Sequence, residues 1–595
     1  MEYYEKLQSL RDLMKKHQID AYIVPITDPH IGEYVPEHWK SIEWLTGFTG
    51  SAGTVVVTSD FAGLWTDSRY FLQTEEQLNG TGFQLVKLKI PHTPEFIDWL
   101  ALNLKAGDVA AYDGKVISIG LHRRICSALE PKGITIHFGD DLVGKLWKDR
   151  PDLPGSEIYV HDEKFAGRTR DEKMRDIREK MREIGAGYHL LSALDDIAWT
   201  FNLRACDVKY SPLFISYALI GMNDVFLFVQ KQKLPGNLYH NLTDQNITIL
   251  PYMDVSGILH DISGDAVLYL NPGTTNTWLY HSIPETAKII EGLSFPTMLK
   301  AIKNETEIAH IGNVMIKDGL ALTKFFIWLE QNIGKIKITE LSASKKLEGF
   351  RAEQEYFKGP SFATIAAYNA HGASPHYEPT PKSDVELKPE GIFLLDSGGQ
   401  YFNGTTDVTR TIALGKPSQQ QKSDFTLALQ GTINLAMIEF PLGTKGYQIE
   451  VLARRSLWEN GLNYGHGTGH GVGFFLNVHE GPQTIGTGAS GNRDVILEPG
   501  MLTADEPAIY REGEYGIRTE NLILCVPSRK TEFGQFCKFE TVTLCFIDSG
   551  LIDESLMNDK EIEWLNKYNK MVYDKLSSHL YEDERKWLKE KTKPV

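Results

Sequence analysis

Residues 396–411 read DSGGQYFNGTTDVTRT and place two carboxylates, Asp396 and Asp407, at the two ends of a reversal of chain direction. The Asn403-Gly404 pair between them is typical of a tight hairpin turn, and the flanking runs IFLL and VTRTIAL predict strands. One interpretation is that both aspartates only cap strand ends. The other is that they converge, and then their mutual repulsion requires a cation between them.

The position of the turn decides whether the two carboxylates can meet. A strict two-residue turn at 403–404 would put Asp407 opposite Gln400. Asp396 would then lie four residues further along the strand, or about 13 Å away at strand rise. The carboxylates meet only if the glycines at 398–399 form a bulge or if the turn shifts toward 401–402, and glycine permits a bulge. A metal site is therefore a hypothesis that requires further ligands.

Four other stretches supply candidate ligands and proton carriers. They are ASPHY with His376, GHGTGHGVGFFLNVHEGP with His466, His470 and His479, TADEPAIY with Glu506, and YGIRTENLIL with Glu520. Alternating glycines disfavour a helix around His466 and His470, and in a strand or loop their spacing puts both imidazoles on one side. Taken singly, each residue has an ordinary explanation: a hydrogen-bonded histidine, a loop carboxylate for Glu506, or a solvent-facing strand position for Glu520.

Composition limits the class of protein. The chain has 595 residues, too many for one core, and its length predicts three or four domains. A hydrophobic content of 42% with 24% charged residues is ordinary for a globular protein, and the net charge of -16 argues against a nucleic-acid partner. Five cysteines without CxxC spacing argue against a disulfide framework or a zinc knuckle. No apolar run approaches the length of a membrane span, so we expect a cytoplasmic protein with no membrane partner.

Two N-terminal domains of similar plan are predicted, at residues 1–153 and 154–298. The first opens with an amphipathic helix and the strand IDAYIVP. The second opens with a capping box of Thr169 and Glu172, followed by a helix and the strand GYHLL. This recurrence predicts two α/β domains, and the stretch RPDLPGS at 150–156 is the expected linker.

The candidate ligands all lie in a third predicted domain, at residues 299–595. Helical periodicity dominates its start, in KNETEIAHIGNVMIKDGLALTKFFIWLEQNIG and, after a cap at Thr339, in ELSASKKLEGFR. Short β-rich segments with glycine turns follow from about residue 360, before a last helix near EIEWLNKYNKMVYDKL. We predict an α+β domain in which helices back a curved antiparallel sheet.

Taken in order, DSGGQYFNGTTDVTRT, HGTGHGVG with LNVHEGP, DEP and GIRTEN resemble the signature of the pita-bread metallopeptidases. The resemblance to the Xaa-Pro aminopeptidase (aminopeptidase P) family, in its long three-domain form, extends over nearly the whole chain. LWTDSRYFLQ and LDDIAWTFNLR resemble sequences in the two N-terminal domains of that family. GHGASPHY and EPAIY depart from the sequences usual in the family around the corresponding histidine and glutamate. The resemblance implies a pita-bread fold for the catalytic domain.

The resemblance also implies a dinuclear metal centre. Its ligands would be Asp396, Asp407, His470, Glu506 and Glu520, with Asp407 and Glu520 bridging the ions, Asp396 holding one, and His470 with Glu506 holding the other. Manganese is the usual metal of the family, and oxygen with imidazole ligation also suits Zn²⁺ or Co²⁺. Independently of the resemblance, four carboxylates balance the charge of two divalent ions.

The activity implied by the resemblance is the release of the N-terminal residue from peptides with proline in the second position, by attack of a metal-bridging hydroxide. Glu506 would carry the proton, as base and then acid. His376 and His479 would steady the carbonyl and the developing oxyanion, and both would contact the substrate together with His466. Arg69 would also contact the substrate, in the site of a neighbouring subunit if the protein is the homodimer that the family implies.

Two alternatives stay open at this point. A prolidase, which cuts only X-Pro dipeptides, would share the catalytic fold, and turnover of tripeptides distinguishes the two enzymes. A metal-free binding module with a peptidase-like fold is the alternative from another class. The five filled ligand positions argue against such a module, and metal analysis would decide.

Overall fold

The structure is a computed structural model that describes residues 2–90, 93–487 and 494–595. The chain divides into two compact units. The N-terminal unit comprises residues 1–161 and 168–297, and the C-terminal unit comprises residues 162–167 and 298–595.

The N-terminal unit contains two six-stranded sheets that have the same strand order and the same strand directions. The strands of the first sheet are, in spatial order, Gln84–Lys87, Ala62–Thr66, Thr54–Thr58, Ala21–Pro25, Val109–Tyr112 and Thr135–Phe138. Those of the second are Ile247–Leu250, Val225–Val229, Ser216–Gly221, Tyr188–Leu191, Val267–Leu270 and Lys288–Glu291. In both sheets the third strand pairs antiparallel with the second and with the fourth, and the remaining neighbours pair parallel.

The two helices predicted for this unit are present. The first helix buries Leu7, Leu10 and Met14 against the first sheet, as its apolar spacing requires. Thr169 caps the helix that follows, and its capping box with Glu172 is present. The α-helices are Tyr3–Lys16, Ser41–Thr46, Phe71–Gln77, Phe96–Asn103, Ile119–Leu129, Leu142–Leu146, Arg170–Ile184, Leu194–Phe201, Gly236–Asp244, Val255–His260 and Thr277–Tyr280. A short pair of strands, Tyr159–Val160 and Leu203–Arg204, completes the unit.

The helices of the C-terminal unit include a long one that begins at the capping residue Asn304. Thr339 caps the next helix, as predicted. The α-helices are Glu163–Ala166, Phe295–Ala301 at the boundary, Glu305–Asn332, Glu340–Ala352, Gln419–Ala436, Gly446–Ile449, Val451–Trp458, Asp559–Leu576 and Glu582–Lys591. In the described parts of both units, no helix is both long enough and apolar enough to cross a lipid bilayer.

All described strands of the C-terminal unit are paired antiparallel, so the predicted α+β class is confirmed. Two three-stranded sheets consist of Ile365–Tyr368, Ile392–Ser397 and Val408–Ala413, and of Phe357–Pro360, Gly399–Tyr401 and Gly404–Thr405. A six-stranded sheet contains, in spatial order, Glu439–Pro441, Gly534–Thr541, Asn521–Thr531, Leu502–Asp505, Gly469–Gly471 and Glu480–Ile485. Ala508–Arg511 pairs with Tyr515–Arg518. Helices and sheets bury a shared core that includes Val314, Phe425, Ala504, Ile517 and Leu565.

Candidate metal centre

One hairpin carries Asp396 and Asp407. In its outer part Asp396 faces Thr409, and in its inner part Tyr401 faces Gly404. Both pairings share one register, so the two residues between Tyr401 and Gly404 form the turn. The turn therefore lies at 402–403, one residue before the expected Asn-Gly position and one residue short of 401–402, and the hairpin has no bulge.

Gly398 lies opposite Asp407 in this register. A Cβ on Gly398 would lie 1.9 Å from the backbone oxygen of Thr406 and 2.1 Å from Oγ of Ser361. Position 398 therefore accommodates only glycine, because any side chain would overlap these two atoms. Because Asp396 is two positions from Gly398, the two aspartates are diagonal neighbours, and the nearby charge of Asp396 contributes to a raised pKa of Asp407.

Loops and strand ends of the six-stranded sheet bring the other candidate ligands to the same place. His470 lies in the strand Gly469–Gly471, and Glu506 directly follows the strand Leu502–Asp505. Nε2 of His470 lies 3.6 Å from Oδ2 of Asp407 and 3.8 Å from Oε1 of Glu506. One potential ligand atom from each of Asp407, His470 and Glu520 lies within 4.8 Å of the others. Atoms at these separations can share a metal ion.

Glu520 lies at the break between two strands and is 2% exposed. Its Oε2 accepts a hydrogen bond from Oγ1 of Thr409 at 2.7 Å. Its backbone N–H donates to the carbonyl of Thr409 at 3.1 Å. The solvent-facing alternative for Glu520 is therefore wrong, since the side chain points to the hairpin that carries both aspartates.

The electrostatics of the cluster fit a cation. Burial, together with the charges of Glu520, Asp396 and Glu506, raises the pKa of Asp407 well above 3.8. Burial and Asp396 raise the pKa of Glu520 to about 8. Among the described residues, no group hydrogen-bonds with Oδ1 of Asp396, which is buried. Converging carboxylates with an unsatisfied oxygen among them form a donor set that suits divalent cations.

Arg518 was missed in the sequence. Its Nη2 lies 2.5 Å from Oδ2 of Asp396, its Nη1 donates to the hydroxyl of Tyr510 at 2.6 Å, and its Nε donates to Oγ1 of Thr409 at 3.1 Å. Burial alone would lower the pKa of Arg518, but Tyr510 and the surrounding carboxylates raise it. A signal was available, because Arg518 and Glu520 are two positions apart in the stretch GIRTEN.

Asp505 is a second buried acid that the sequence analysis did not assign. It is fully buried, and within the described ranges neither of its carboxylate oxygens has a hydrogen-bond partner. Burial, with the charges of Glu520 and Glu506, raises its pKa well above 3.8. The side chain therefore adds to the accumulation of acidic groups in this part of the unit.

Two of the candidate histidines have defined neighbours. Nε2 of His466 lies 2.8 Å from the hydroxyl of Tyr510, which links His466 through Arg518 to Asp396. The ring of His479 meets that of His470 nearly edge-on, with centroids 4.4 Å apart. His479 therefore lies beside the candidate ligand His470, whereas His466 is connected to the cluster only through Tyr510 and Arg518.

The last two candidates lie on other elements. His376 is half-buried in the turn that follows the 3₁₀ helix Asn369–Ala373. Arg69 belongs to the N-terminal unit, where its Nε and Nη2 each lie 2.8 Å from a carboxylate oxygen of Asp67. The substrate contacts predicted for His376 and Arg69 stay predictions.

Family models match almost the whole chain. The Creatinase/Prolidase N-terminal domain matches twice, at residues 6–140 and 149–307. Metallopeptidase family M24 matches residues 309–527, and the C-terminal region of peptidase M24 matches residues 535–595. The stretch matched by the M24 model contains all five candidate ligands.

Relatives match over full length. Probable Xaa-Pro aminopeptidase P of Penicillium rubens is 37% identical over 99% of this chain and 98% of its own length, and that of Laccaria bicolor is 38% identical over 99% and 93%. The crystal structure of X-prolyl aminopeptidase from Caenorhabditis elegans, described as a cytosolic enzyme with a di-nuclear active site, is 34% identical and covers 100% of both chains with a TM-score of 0.95. This chain therefore belongs to the Xaa-Pro aminopeptidase P family of M24 metallopeptidases.

Proposed function

We propose that this protein is a metal-dependent aminopeptidase that releases the N-terminal residue from peptides with proline in the second position. The observation that carries the proposal is the convergence of Asp407, His470 and Glu520, whose ligand atoms lie within 4.8 Å of one another. Asp396 and Glu506 complete the proposed ligand set. Full-length similarity to Xaa-Pro aminopeptidases supports the same activity.

The proposed cofactor is a pair of divalent ions, with Mn²⁺ the expected metal and Zn²⁺ or Co²⁺ as alternatives. When bound, two such ions lower the pKa of a water molecule and polarise the scissile carbonyl. An oxygen-rich set with one imidazole suits these metals, and the charge of four carboxylates balances that of two ions.

Glu506 is the proposed proton carrier. Its side chain is 20% exposed, whereas that of Asp407 is 4% exposed. A carboxylate at the accessible side of the cluster can accept a proton from water and donate it to the leaving nitrogen of proline. His479, beside His470, and His376 are proposed to stabilise the charge that develops on the carbonyl oxygen.

The proposed specificity follows from the bond itself. The nitrogen of an X-Pro bond carries no hydrogen, and the ring fixes φ, so the substrate enters with a kinked backbone. The free ammonium group of the peptide is attracted to the acidic cluster. His466, joined to Tyr510, is proposed to contact the substrate at the edge of this cluster.

Three finer points belong to the proposal: a homodimer, a cytoplasmic location, and a role for Arg69 in the site of the neighbouring subunit. The location is supported by the description of the nematode relative as cytosolic. The role of Arg69 can be tested by mixing two inactive variants, Arg69→Ala and Glu506→Gln. Activity should reappear when subunits exchange, because one mixed site then has both residues intact. Failure to regain activity in a demonstrated mixed dimer would place Arg69 outside the neighbouring site.

Product analysis with Mn²⁺ tests the proposed activity on matched X-Pro-Y, X-Ala-Y and acetylated X-Pro-Y peptides. We expect cleavage of the first bond of X-Pro-Y, no turnover after acetylation, and a rate on X-Ala-Y lower by about 10- to 200-fold, because the pocket loses its packing on the ring. Arg-Pro-Pro should lose only its first residue.

Three results would contradict the proposal. Equal rates on X-Pro-Y and X-Ala-Y would remove the proline specificity. Turnover restricted to X-Pro dipeptides would indicate a prolidase. Purified protein that binds peptides, but does not bind metal and does not hydrolyse the peptides, would indicate a binding module.

A further inference from the structure

The carboxylate of Glu340 accepts hydrogen bonds from three donors within residues 368–377, the loop 369–377 and the strand residue before it. Glu340 is fully buried at the first position of its helix, where the helix dipole favours a negative charge. Its Oε1 accepts from the backbone N–H of Tyr368 at 2.8 Å and from Nδ1 of His371 at 2.9 Å. Its Oε2 accepts from the hydroxyl of Tyr377 at 2.7 Å. These donors enclose the loop at both of its ends.

The side chains around the carboxylate also pack on one another. The rings of His371 and Tyr377 stack with centroids 4.4 Å apart. The hydroxyl of Tyr377 lies 3.0 Å from Oγ of Ser383 as well. A buried carboxylate is costly unless its oxygens are hydrogen-bonded, and bonds to a charged acceptor are the stronger ones. Glu340 therefore holds the loop of residues 369–377 in one conformation.

The other side of this loop rests on the strand that carries Arg518. A Cβ on Gly516 would lie 1.7 Å from the backbone oxygen of Gly372, and a Cβ on Gly372 would lie 2.8 Å from the backbone nitrogen of Gly516. Two glycines thus allow backbone to touch backbone. The loop is held between Glu340 on one side and this strand on the other.

We infer that Glu340 is a positioning residue for the reaction, because it fixes the loop that presents His376. His376 directly precedes Tyr377, which donates to the carboxylate of Glu340. The inference rests on the proposed function, since it takes His376 as a residue that contacts the substrate. Glu340 itself acts only through the loop.

Single-atom changes test this inference with little risk to folding. Tyr377→Phe removes one donor and keeps the ring, and Glu340→Gln keeps the shape of the side chain and removes its charge. Tyr368→Phe is the matched control, because the Tyr368 hydroxyl donates to the carbonyl of Glu390 at 3.0 Å and only its backbone meets Glu340. For each variant the measurements are kcat and KM on an X-Pro-Y peptide with saturating Mn²⁺, metal content, and hydrogen exchange of the amides of residues 369–377.

Tyr377→Phe and Glu340→Gln should lower kcat by about 10- to 100-fold, the cost of a misplacement of about 1 Å, with KM and metal content near those of the unaltered protein. Their loop amides should exchange faster. Tyr368→Phe should change neither kcat nor the exchange rate of the loop amides. The double variant Glu340→Gln with His376→Ala should lose no more activity than His376→Ala alone, because both changes act on the same step.

Each contrary result has a distinct meaning. Unaltered exchange in Glu340→Gln would show that the carboxylate does not fix the loop. Faster exchange with an unaltered kcat, or fully additive losses in the double variant, would show that the loop is held but positions no reacting group. An unaltered protein that fails to cleave any X-Pro peptide would overturn the proposed function, and this inference with it.

Discussion

Arg518 and Asp396 form a buried ion pair, with Nη2 and Oδ2 2.5 Å apart, at the edge of a group of acidic side chains. Burial raises the pKa values of Asp407 and Glu520, and the charge of Arg518 opposes part of that rise. The guanidinium is therefore a fixed positive charge that supports the acidic cluster when no metal is bound.

Replacing Arg518 by Met should destabilise the chelated protein more than the metal-loaded protein. Removal of one partner of a buried pair costs about 3 to 5 kcal/mol, and bound cations would compensate part of this loss. Thermal unfolding with EDTA and with Mn²⁺ measures the difference. Arg511→Met is the control, since Arg511 pairs with Asp424 at a more exposed position. An equal loss of stability in both conditions would refute the electrostatic role.

Asp407→Ala and Glu520→Ala should each remove both metal ions together, because each residue is proposed to bridge the pair. Elemental analysis of purified protein should find close to two ions per chain before the change and almost none after it. Asp505→Asn is the matched control, as it neutralises a buried acid that adjoins Glu506 and is not a proposed ligand. Loss of metal in Asp505→Asn, or active protein without metal, would show that the ligand set is wrong.

Glu506→Gln should keep the fold and lower kcat by about 10²- to 10⁴-fold, since a ligand charge and a proton carrier are both lost. His376→Ala should lower kcat with metal content unchanged. Steady-state kinetics and metal analysis on the same preparations separate the two effects. A His376→Ala protein without metal would place His376 among the ligands instead.

The stability of the chelated protein should fall as the pH rises from about 4.5 to about 8. Burial and Asp396 raise the pKa of Glu520 from 4.5 to about 8, so in this range the folded protein keeps a proton that the unfolded chain has released. One such group contributes at most about 1.4 kcal/mol per pH unit. Glu520→Gln should make the fall shallower, and saturating Mn²⁺ should remove it. Chemical denaturation across this pH range checks the slope, and identical slopes for the two proteins would contradict the assignment.

The predicted helices were found in the structure because capping and apolar spacing depend on residues close together in the sequence. The caps at Thr169 and Thr339 and the apolar spacing of Leu7, Leu10 and Met14 lie within a few turns of chain, and all of them hold in the structure. The turn of the hairpin was misplaced by one residue, because Asn-Gly preference describes the turn alone. The register is instead set by the burial of the strands on either side.

The candidate ligands could be chosen from residue types and their order in the sequence. The residues that hold those ligands and the substrate-binding loop in place could not. Arg518 reaches Asp396 across more than a hundred residues of sequence, and Glu340 reaches Tyr377 from the end of a helix. Such contacts depend on how separate elements pack. A single sequence carries no periodic signal for them.

The hairpin between Asp396 and Asp407 has a consequence for how this segment can vary in length. Because one register runs from Asp396 to the turn, inserting or deleting a single residue there would send Asp407 to the opposite face of the sheet. Evolutionary change and protein engineering are therefore constrained here in the number of residues as well as in their identity, because a change of one residue in length would separate the two aspartates.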